Sequence, residues 1–239
     1  MIGGVHAGVG TQLLYGLVTL RFGLPPERRS GSGVLYHNNW VISVSHLDNG
    51  LDVVASFYGE SQHQSVTNNR NNIVHVGDRI MLVKLPSAFN PRGPDVVSRV
   101  TLNRDTSSLV GRELLCIGRG DSQYDPSGVP GETTGDNRYR RANFKVTFDT
   151  GIEFDFRQGP YGEVLCPGDS GAGCFSDSDF TLIGLHDTSN WTPNIPSRIV
   201  LNRQIAVAQL ADRIDEVCQR ARRLAPLRPF RLGRHSARR

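Results

Sequence analysis

The chain has 239 residues, of which 38% are hydrophobic and 21% are charged, and its formal net charge at pH 7 is +4. This length and hydrophobic content are enough for one large or two small domains, each with its own core, so the sequence predicts a globular protein. No apolar run is long enough to span a membrane as a helix.

Short apolar or alternating runs follow one another along the first part of the chain. They include "LYGLVTLRF", "VLYHNNWVISVSH" and "RIMLVKL", and turn residues separate them. Further on, Phe144, Val146 and Phe148 alternate with polar residues, Asp-Thr-Gly at 149–151 offers a turn, and residues 152–156 alternate again. This pattern predicts a β-hairpin, and the body of the chain is predicted to be mostly β.

One segment has helical spacing. Within residues 202–223, Ile205, Leu210, Ile214 and Cys218 recur every three to five positions. The spacing predicts a C-terminal helix that packs on the β body.

The last residues of the chain are strongly basic. Residues 219–239 hold eight of the 27 Lys and Arg and no acidic residue, which leaves the preceding 218 residues with 19 basic against 23 acidic side chains. A tail of this composition is expected to be solvated and disordered. The alternative is contact with nucleic acid or another anionic surface.

The segment "CPGDSGAGCF", residues 166–175, contains a candidate nucleophile. The hydroxyl of Ser170 needs a general base, a group that orients this base and donors for the oxyanion that develops. Glycines on both sides let the backbone turn tightly, so the N–H groups of Gly168 and Ser170 are the predicted oxyanion donors.

A base and an orienting acid have to come from elsewhere in the chain. Of the seven histidines, His46 stands out because it ends the apolar run "NNWVISVSH" and the turn "LDNG" follows. Asp78 begins another apolar run, "DRIMLVKL", and is the predicted acid. The chain therefore carries His, Asp and Ser in that order.

These three segments resemble those of the chymotrypsin-like (trypsin-fold) serine proteases. "NNWVISVSH" is similar to the family's "NWVVTAAH", "GDRIMLVKL" to "DIALLKL", and "CPGDSGAGCF" to "CxGDSGGP". "IGGVHAGVG" followed by "YGLVTLRF" resembles the mature N-terminus "IVGG" and the first strand, and "ELLCIGRG" resembles the strand that opens the second barrel.

The resemblance implies an all-β fold of two antiparallel Greek-key six-stranded β-barrels packed together, with a C-terminal α-helix. An N-terminal barrel that carries His46 and Asp78 is expected at residues 1–90, and a C-terminal barrel that carries Ser170 at 91–203. The helix is expected at 204–223 and the basic tail at 224–239. The implied activity is that of a monomeric serine endopeptidase that cleaves a protein or peptide substrate through an acyl-enzyme. The alternative is an inactive homologue that acts as a binding module.

In the family, the freed amino group of the first mature residue pairs with the Asp before the nucleophile. By resemblance Ile2 would be this terminus and Asp169 its partner. Met1 precedes Ile2 in the chain as written, so this expectation requires that Met1 be absent or removed.

The orienting acid departs from the family's register by one residue. Aligned backward from "LVKL", the family's Asp falls on Arg79, and Asp78 lies one position early. A slip of one residue in a strand sends a side chain to the opposite face, unless a bulge at the strand's entry absorbs it. If Asp78 fails, Asp48 and Asp52 are poor substitutes.

The four cysteines give a partial match. The resemblance implies a disulfide between Cys116 and Cys174, whereas Cys166 lacks its usual family partner and Cys218 has no family counterpart. Secretion is implied by the resemblance, although the first residues lack the basic start and long apolar core of a signal peptide.

The resemblance also indicates where the substrate side chain would bind. Val164 and Leu165 would form the floor of the specificity pocket, and "GLHDTSN" would form a wall with His186, Thr188 and Ser189. Without an acidic floor, a preference for Lys or Arg is not expected. Because relatives with "GxH" here recognise Glu or Gln, that preference and an apolar one both stay open. No cofactor and no metal ion are expected.

Overall fold

The computed structural model describes residues 1–24, 29–37, 39–57, 62–89, 100–120, 123–124, 133–134, 138–157, 159, 163–176, 179–190 and 201–223. Within these residues the chain forms strands β1 to β17 in chain order, which are Val5–His6, Leu17–Phe22, Arg29–Tyr36, Trp40–Val44, Val53–Phe57, Gln62–Val66, Ile73–Val76, Ile80–Lys84, Thr101–Leu102, Glu113–Gly118, Gln123–Tyr124, Thr133–Thr134, Arg140–Asp149, Glu153–Phe156, Gly173–Phe175, Thr181–Asn190 and Leu201–Ala206. Helices α1 and α2 span Val9–Leu14 and Ala211–Arg223, and two 3₁₀ helices span Ser45–Leu47 and Ala208–Leu210.

The first half of the chain forms a curled seven-stranded antiparallel sheet. Its strand order is β6-β5-β2-β3-β4-β8-β7. All five residues of the inner strand β4, "WVISV", are buried, because core or other backbone covers both of its faces. The sheet therefore curls into a half-barrel instead of the closed six-stranded barrel that was expected.

The second half forms a closed barrel of six strands. The order β13-β10-β15-β16-β17-β14 is completed by a pairing between β14 and β13. Alternation along β13 buries Ala142, Phe144 and Val146 and leaves the residues between them exposed. The prediction of an all-β body with two barrel-like halves and a C-terminal helix is confirmed.

The predicted hairpin is present as β13 and β14, but two of its alternating apolar residues, Phe148 and Ile152, are exposed. The register shifts between Val146 and Phe148, and the extra residue turns Phe148 outward, where it is 56% exposed. After the turn, Phe154 and Phe156 return to the core.

Both ends of the described chain cross to the other half of the molecule. Strand β1 pairs with β13, so the first residues belong with the second barrel and not with the first. Helix α2 packs its apolar side, with Ile214 and Cys218, into the core shared with the first half. The helix begins at Ala211 and not at residue 204, because residues 201–206 continue as β17. The predicted boundary near residue 90 and the tail at 224–239 lie outside the described residues.

A disulfide joins neighbouring strands of the second barrel. Cys116 on β10 and Cys174 on β15 are directly paired in the sheet and are covalently linked, as the resemblance implied. Cys166 and Cys218 are buried thiols outside this disulfide.

Candidate active site

The segment that carries Ser170 is a tight turn between residue 166 and β15. The N–H of Asp169 donates to the carbonyl of Cys166 at 2.9 Å, and the N–H of Ala172 donates to the carbonyl of Asp169 at 2.7 Å. Gly168 and Gly171 both have positive φ, +87° and +80°, which favours glycine at each position. The turn thus projects Ser170 from one end of the barrel.

This turn is hydrogen-bonded to strand β3 of the first half. The N–H of Ser32 donates to the carbonyl of Ser170 at 2.7 Å. At Gly171 the two backbones approach so closely that a Cβ would lie 2.0 Å from the carbonyl oxygen of Ser32. The position of the candidate nucleophile relative to the first half is therefore set by backbone contact.

Asp169 is fully buried and accepts from three donors. The N–H groups of Gly120 and Cys166 donate to its carboxylate at 2.7 and 2.9 Å, and the amino group of Met1 lies 2.7 Å from Oδ2. The expected partner of Asp169 was the amino group of Ile2. With Met1 present, Ile2 forms a backbone bridge with Val164, and its expected role as the freed terminus after loss of Met1 stays a prediction.

His46 lies where β4 leaves the core and enters a 3₁₀ turn. The backbone of this turn is held from two sides, by a hydrogen bond from the N–H of Ser45 to the carbonyl of Arg79 at 2.7 Å and by one from Arg29 to the carbonyl of His46 at 3.0 Å. Nε2 of His46 is 2.9 Å from Oγ of Ser170. The structure thus brings together the two residues that the sequence singled out as base and nucleophile.

The acid that pairs with His46 is Asp187, not Asp78. Nδ1 of His46 is 3.0 Å from Oδ1 of Asp187. Asp78 is exposed in the turn between β7 and β8, and it makes no hydrogen bond or ion pair within the described residues. The predicted role of Asp78 is corrected accordingly.

A β-bulge explains why Asp187 reaches His46. On β16, His186 pairs with Gln204 and Thr188 pairs with Arg203, so Asp187 is the extra residue between two consecutive pairings. A bulge re-aims the side chain that it carries. The same strand is tied to the nucleophile turn, because the N–H of Gly171 donates to the carbonyl of His186 at 2.8 Å.

The charge of Asp187 is stabilised by its neighbours. The hydrogen bond from His46 lowers the pKa of Asp187, burial opposes this, and the charge of Arg79 lowers it further. Asp187 is therefore a carboxylate that accepts from Nδ1–H of His46, which leaves Nε2 to accept the proton of Ser170.

The other two carboxylates near His46 in the sequence have different partners. Asp48 pairs with His75 at 2.9 Å, and Asp52 accepts from the backbone N–H of Asn68 at 2.8 Å. Burial raises the pKa of Asp48, but hydrogen bonds from Gly50, His75 and Asn68 outweigh it and lower the pKa.

The predicted oxyanion donors are available. Within the part of the chain that the structure describes, the N–H groups of Gly168 and Ser170 donate to no protein acceptor. A developing oxyanion requires backbone donors that are not already bonded, so the predicted role of these two groups stays open to them.

The predicted pocket residues are buried to different degrees. Val164 and Leu165 are fully buried in the core, and their role as a pocket floor stays a prediction. Thr188 is exposed, Ser189 is partly exposed, and His186 is only 2% exposed.

His186 is held neutral inside this region. Its Nδ1 is 2.9 Å from Nε2 of Gln204, an obligatory donor, so Nε2 of His186 carries the proton and donates to Oγ of Ser189 at 3.1 Å. Burial lowers the pKa of His186 to about 4, against the opposing charges of Asp169 and Asp187. Ser189, and not His186, is the member of this pair that solvent reaches.

A family model covers most of the chain. The trypsin family model matches residues 21–214. The chain belongs to the trypsin family. The matched range includes Ser170, His46 and Asp187, and no curated protein matches the chain.

Solved structures share the fold of this trypsin-family chain. HL collagenase is 16% identical with a TM-score of 0.68, covering 92% of this chain and 99% of that one. The scabies mite inactivated protease paralogues S-D1 and S-I1 are 15% and 16% identical, with TM-scores of 0.71 and 0.65, and they cover 92% and 91% of this chain and 97% and 99% of their own. At these identities the likeness shows the fold alone.

The described residues lack two further features, a membrane-spanning helix and a cluster of metal ligands. No helix among them is long and apolar enough to cross a membrane. No group of three or more His, Cys, Asp or Glu side chains in them is arranged to hold a metal ion.

Proposed function

We propose that this trypsin-family protein is a serine endopeptidase whose triad consists of Ser170, His46 and Asp187. The observation that carries the proposal is the continuous hydrogen-bonded path from Oγ of Ser170 through both ring nitrogens of His46 to Oδ1 of Asp187, with distances of 2.9 and 3.0 Å. This is the path a neutral hydroxyl needs in order to lose its proton as it attacks.

In this mechanism Ser170 attacks the scissile carbonyl while Nε2 of His46 takes its proton. Asp187 holds the ring in the tautomer that leaves Nε2 free, and it stabilises the imidazolium that forms. The N–H groups of Gly168 and Ser170 donate to the tetrahedral oxyanion. His46 then protonates the leaving amine, and water resolves the acyl-enzyme by the same route.

The pocket favours an uncharged substrate side chain. His186 is neutral near pH 7, and no Lys or Arg of the described residues is hydrogen-bonded to His186 or Ser189. Among the described residues, a carboxylate beside His186 and Ser189 would have no hydrogen-bonded cation to pair with, and the predicted floor residues Val164 and Leu165 offer no acidic group to a Lys or Arg. We therefore favour Gln or an apolar side chain over Glu at the position whose carbonyl is attacked.

The partly exposed hydroxyl of Ser189 adds to the case for an amide, because a hydroxyl can both donate and accept a hydrogen bond. Oγ of Ser189 lies 3.1 Å from Oδ1 of Asn202, whose Nδ2 is buried without a hydrogen-bond partner. An amide side chain has both an acceptor and a donor. It can therefore accept a hydrogen bond from the Ser189 hydroxyl or donate one to it.

The protein is proposed to be secreted and to act on protein or peptide substrates as a monomer. The disulfide between Cys116 and Cys174 supports an oxidising compartment, since such bonds persist mainly outside the cytosol.

The alternative is an inactive homologue that uses the same fold for binding. It is motivated by Arg79 at the position of the family's acid. Two of the similar structures are named as inactivated paralogues, which supports only the fold at their low identity.

A fluorophosphonate probe separates these two functions. The wild type is expected to be labelled on Ser170, Ser170→Ala not at all, and His46→Ala only very slowly. A wild type that is folded by circular dichroism but takes no label would overturn the proposed endopeptidase activity.

For specificity, the cleavage rates of peptides that differ only in Gln, Glu, Phe or Lys at the attacked position are compared at pH 7.5. Best cleavage after Glu would contradict a neutral pocket.

A further inference from the structure

A row of alternating charges extends from the candidate site across the surface between the two halves. His46 pairs with Asp187, and the guanidinium of Arg79 lies 3.9 Å from the other oxygen of Asp187. Arg79 pairs directly with Glu153 on β14. Glu153 in turn lies 3.4 Å from Arg203 on β17, which also pairs with Asp155 at 3.3 Å.

Arg79 lies closer to Glu153 than to Asp187, and this difference affects the hydrogen bonding of Asp187. Arg79 forms an ion pair with Glu153, whereas its 3.9 Å distance to Asp187 is too long for a hydrogen bond. Arg203 holds the second oxygen of Glu153 and so keeps its carboxylate in place. Arg79 is thereby close enough to stabilise the charge of Asp187, but it does not take the hydrogen bond that His46 requires.

We propose that Arg79 and Glu153 are a positioning pair for Asp187. The ion pair with Glu153 keeps the guanidinium of Arg79 beyond hydrogen-bonding distance of Asp187, so that Asp187 stays hydrogen-bonded to His46. The inference rests on the proposed function for its effect on catalysis, but its structural part concerns only the His46–Asp187 contact.

The charged and titratable groups that face His46 come from several elements. They are Asp187 and neutral His186 on β16, Arg79 in the turn before β8, and Arg29 on β3, whose guanidinium donates to the carbonyl of His46. Of these, Arg79 also forms an ion pair with a carboxylate outside the site, that of Glu153.

The two members of the pair should act in opposite directions. In Arg79→Gln, Asp187 loses the nearby cation and binds the His46 imidazolium more strongly, so the ring keeps its proton to higher pH. In Glu153→Gln, Arg79 is released and competes for Asp187, so the ring loses its proton at lower pH and is oriented less well. For a partly exposed ion pair, the expected change of the titration midpoint is about 0.5 to 1 pH unit in each case.

The test follows the ring protons of His46 by NMR in the Ser170→Ala background, which needs no catalysis. The midpoint should rise in Arg79→Gln, fall in Glu153→Gln and stay near the native value in Arg79→Lys. The double variant should match Arg79→Gln, because Glu153 acts through Arg79. Arg220→Gln, which removes the same charge from an exposed pair with Glu216 on α2, is the control and should leave the midpoint unchanged.

In the active enzyme the acid limb of the kcat/KM profile should move in the same directions, with kcat lowered several-fold in Glu153→Gln and KM little changed. Shifts of the same sign in both single variants, or purely additive shifts in the double variant, would overturn the positioning pair. If the NMR shifts occur as expected but no variant hydrolyses peptides, the positioning pair stands and the proposed function fails.

Discussion

His46 and Asp187 are hydrogen-bonded at 3.0 Å although the first half of the molecule carries the histidine and the second carries the acid. Ser170 and Asp187 both belong to the second barrel and are tied together through the bond from Gly171 to His186. Of the three proposed triad residues, His46 therefore comes from the first half and the other two come from the second barrel.

The first prediction compares two acids. Asp187→Asn should lower kcat/KM by about 10³ to 10⁴, because the amide no longer favours the tautomer in which Nε2 of His46 accepts a proton. Asp78→Asn should leave kcat/KM within about twofold, since Asp78 is exposed and does not contact His46. Peptide hydrolysis measures both variants, and a larger loss in Asp78→Asn would contradict the assignment of Asp187.

The second prediction concerns the approach of the nucleophile turn to β3. Gly171→Ala should lower the free energy of unfolding by about 3 kcal/mol or more, because a Cβ at positive φ would also clash with the carbonyl of Ser32. Gly50 has a similar φ of +78° with no atom near its Cβ position, so Gly50→Ala should cost only about 1 kcal/mol. Urea unfolding measures both, and equal losses would show that the clash is relieved at no cost.

The third prediction is the pH dependence of stability that His186 produces. Its pKa is about 4 in the folded protein and 6.5 when unperturbed, so below pH 6.5 the unfolded chain takes up a proton that the folded chain does not. The contribution of His186 to the free energy of unfolding is present above pH 6.5. It should fall by about 2 kcal/mol between pH 6.5 and 5. In His186→Gln this part of the slope should vanish from urea unfolding measured across that range. An unchanged slope would mean that His186 is not the group responsible.

The fourth prediction concerns the disulfide, which closes a sequence separation of 58 residues. The double variant Cys116→Ala, Cys174→Ala should lose about 4 kcal/mol of unfolding free energy, because the unfolded chain gains the entropy that the link removes. Reductant should bring the wild type down to the same urea midpoint and should not affect the double variant. A wild type insensitive to reductant, with the thiols shown to be reduced, would contradict this value.

The candidate nucleophile and base were predictable because their signals are local. Ser170 lies in a Gly-rich turn, and His46 ends an apolar strand, so each residue's place follows from the few residues around it. The disulfide and the general fold followed from a resemblance that local motifs carry. Asp187 was missed although its neighbour His186 had been singled out, since nothing in "GLHDTSN" marks the residue at which β16 bulges.

By itself the sequence determined where most strands lie, where the nucleophile turn lies and which histidine follows a strand end, because these depend on periodicity and turn chemistry over short distances. Only the tertiary structure decided which carboxylate pairs with His46 and where helix α2 begins. Each of these depends on a register between segments far apart in the chain, and a shift of one residue exchanges one side chain for its neighbour. Thus Asp187 at a bulge, and not Asp78 at a strand entry, lies against the imidazole.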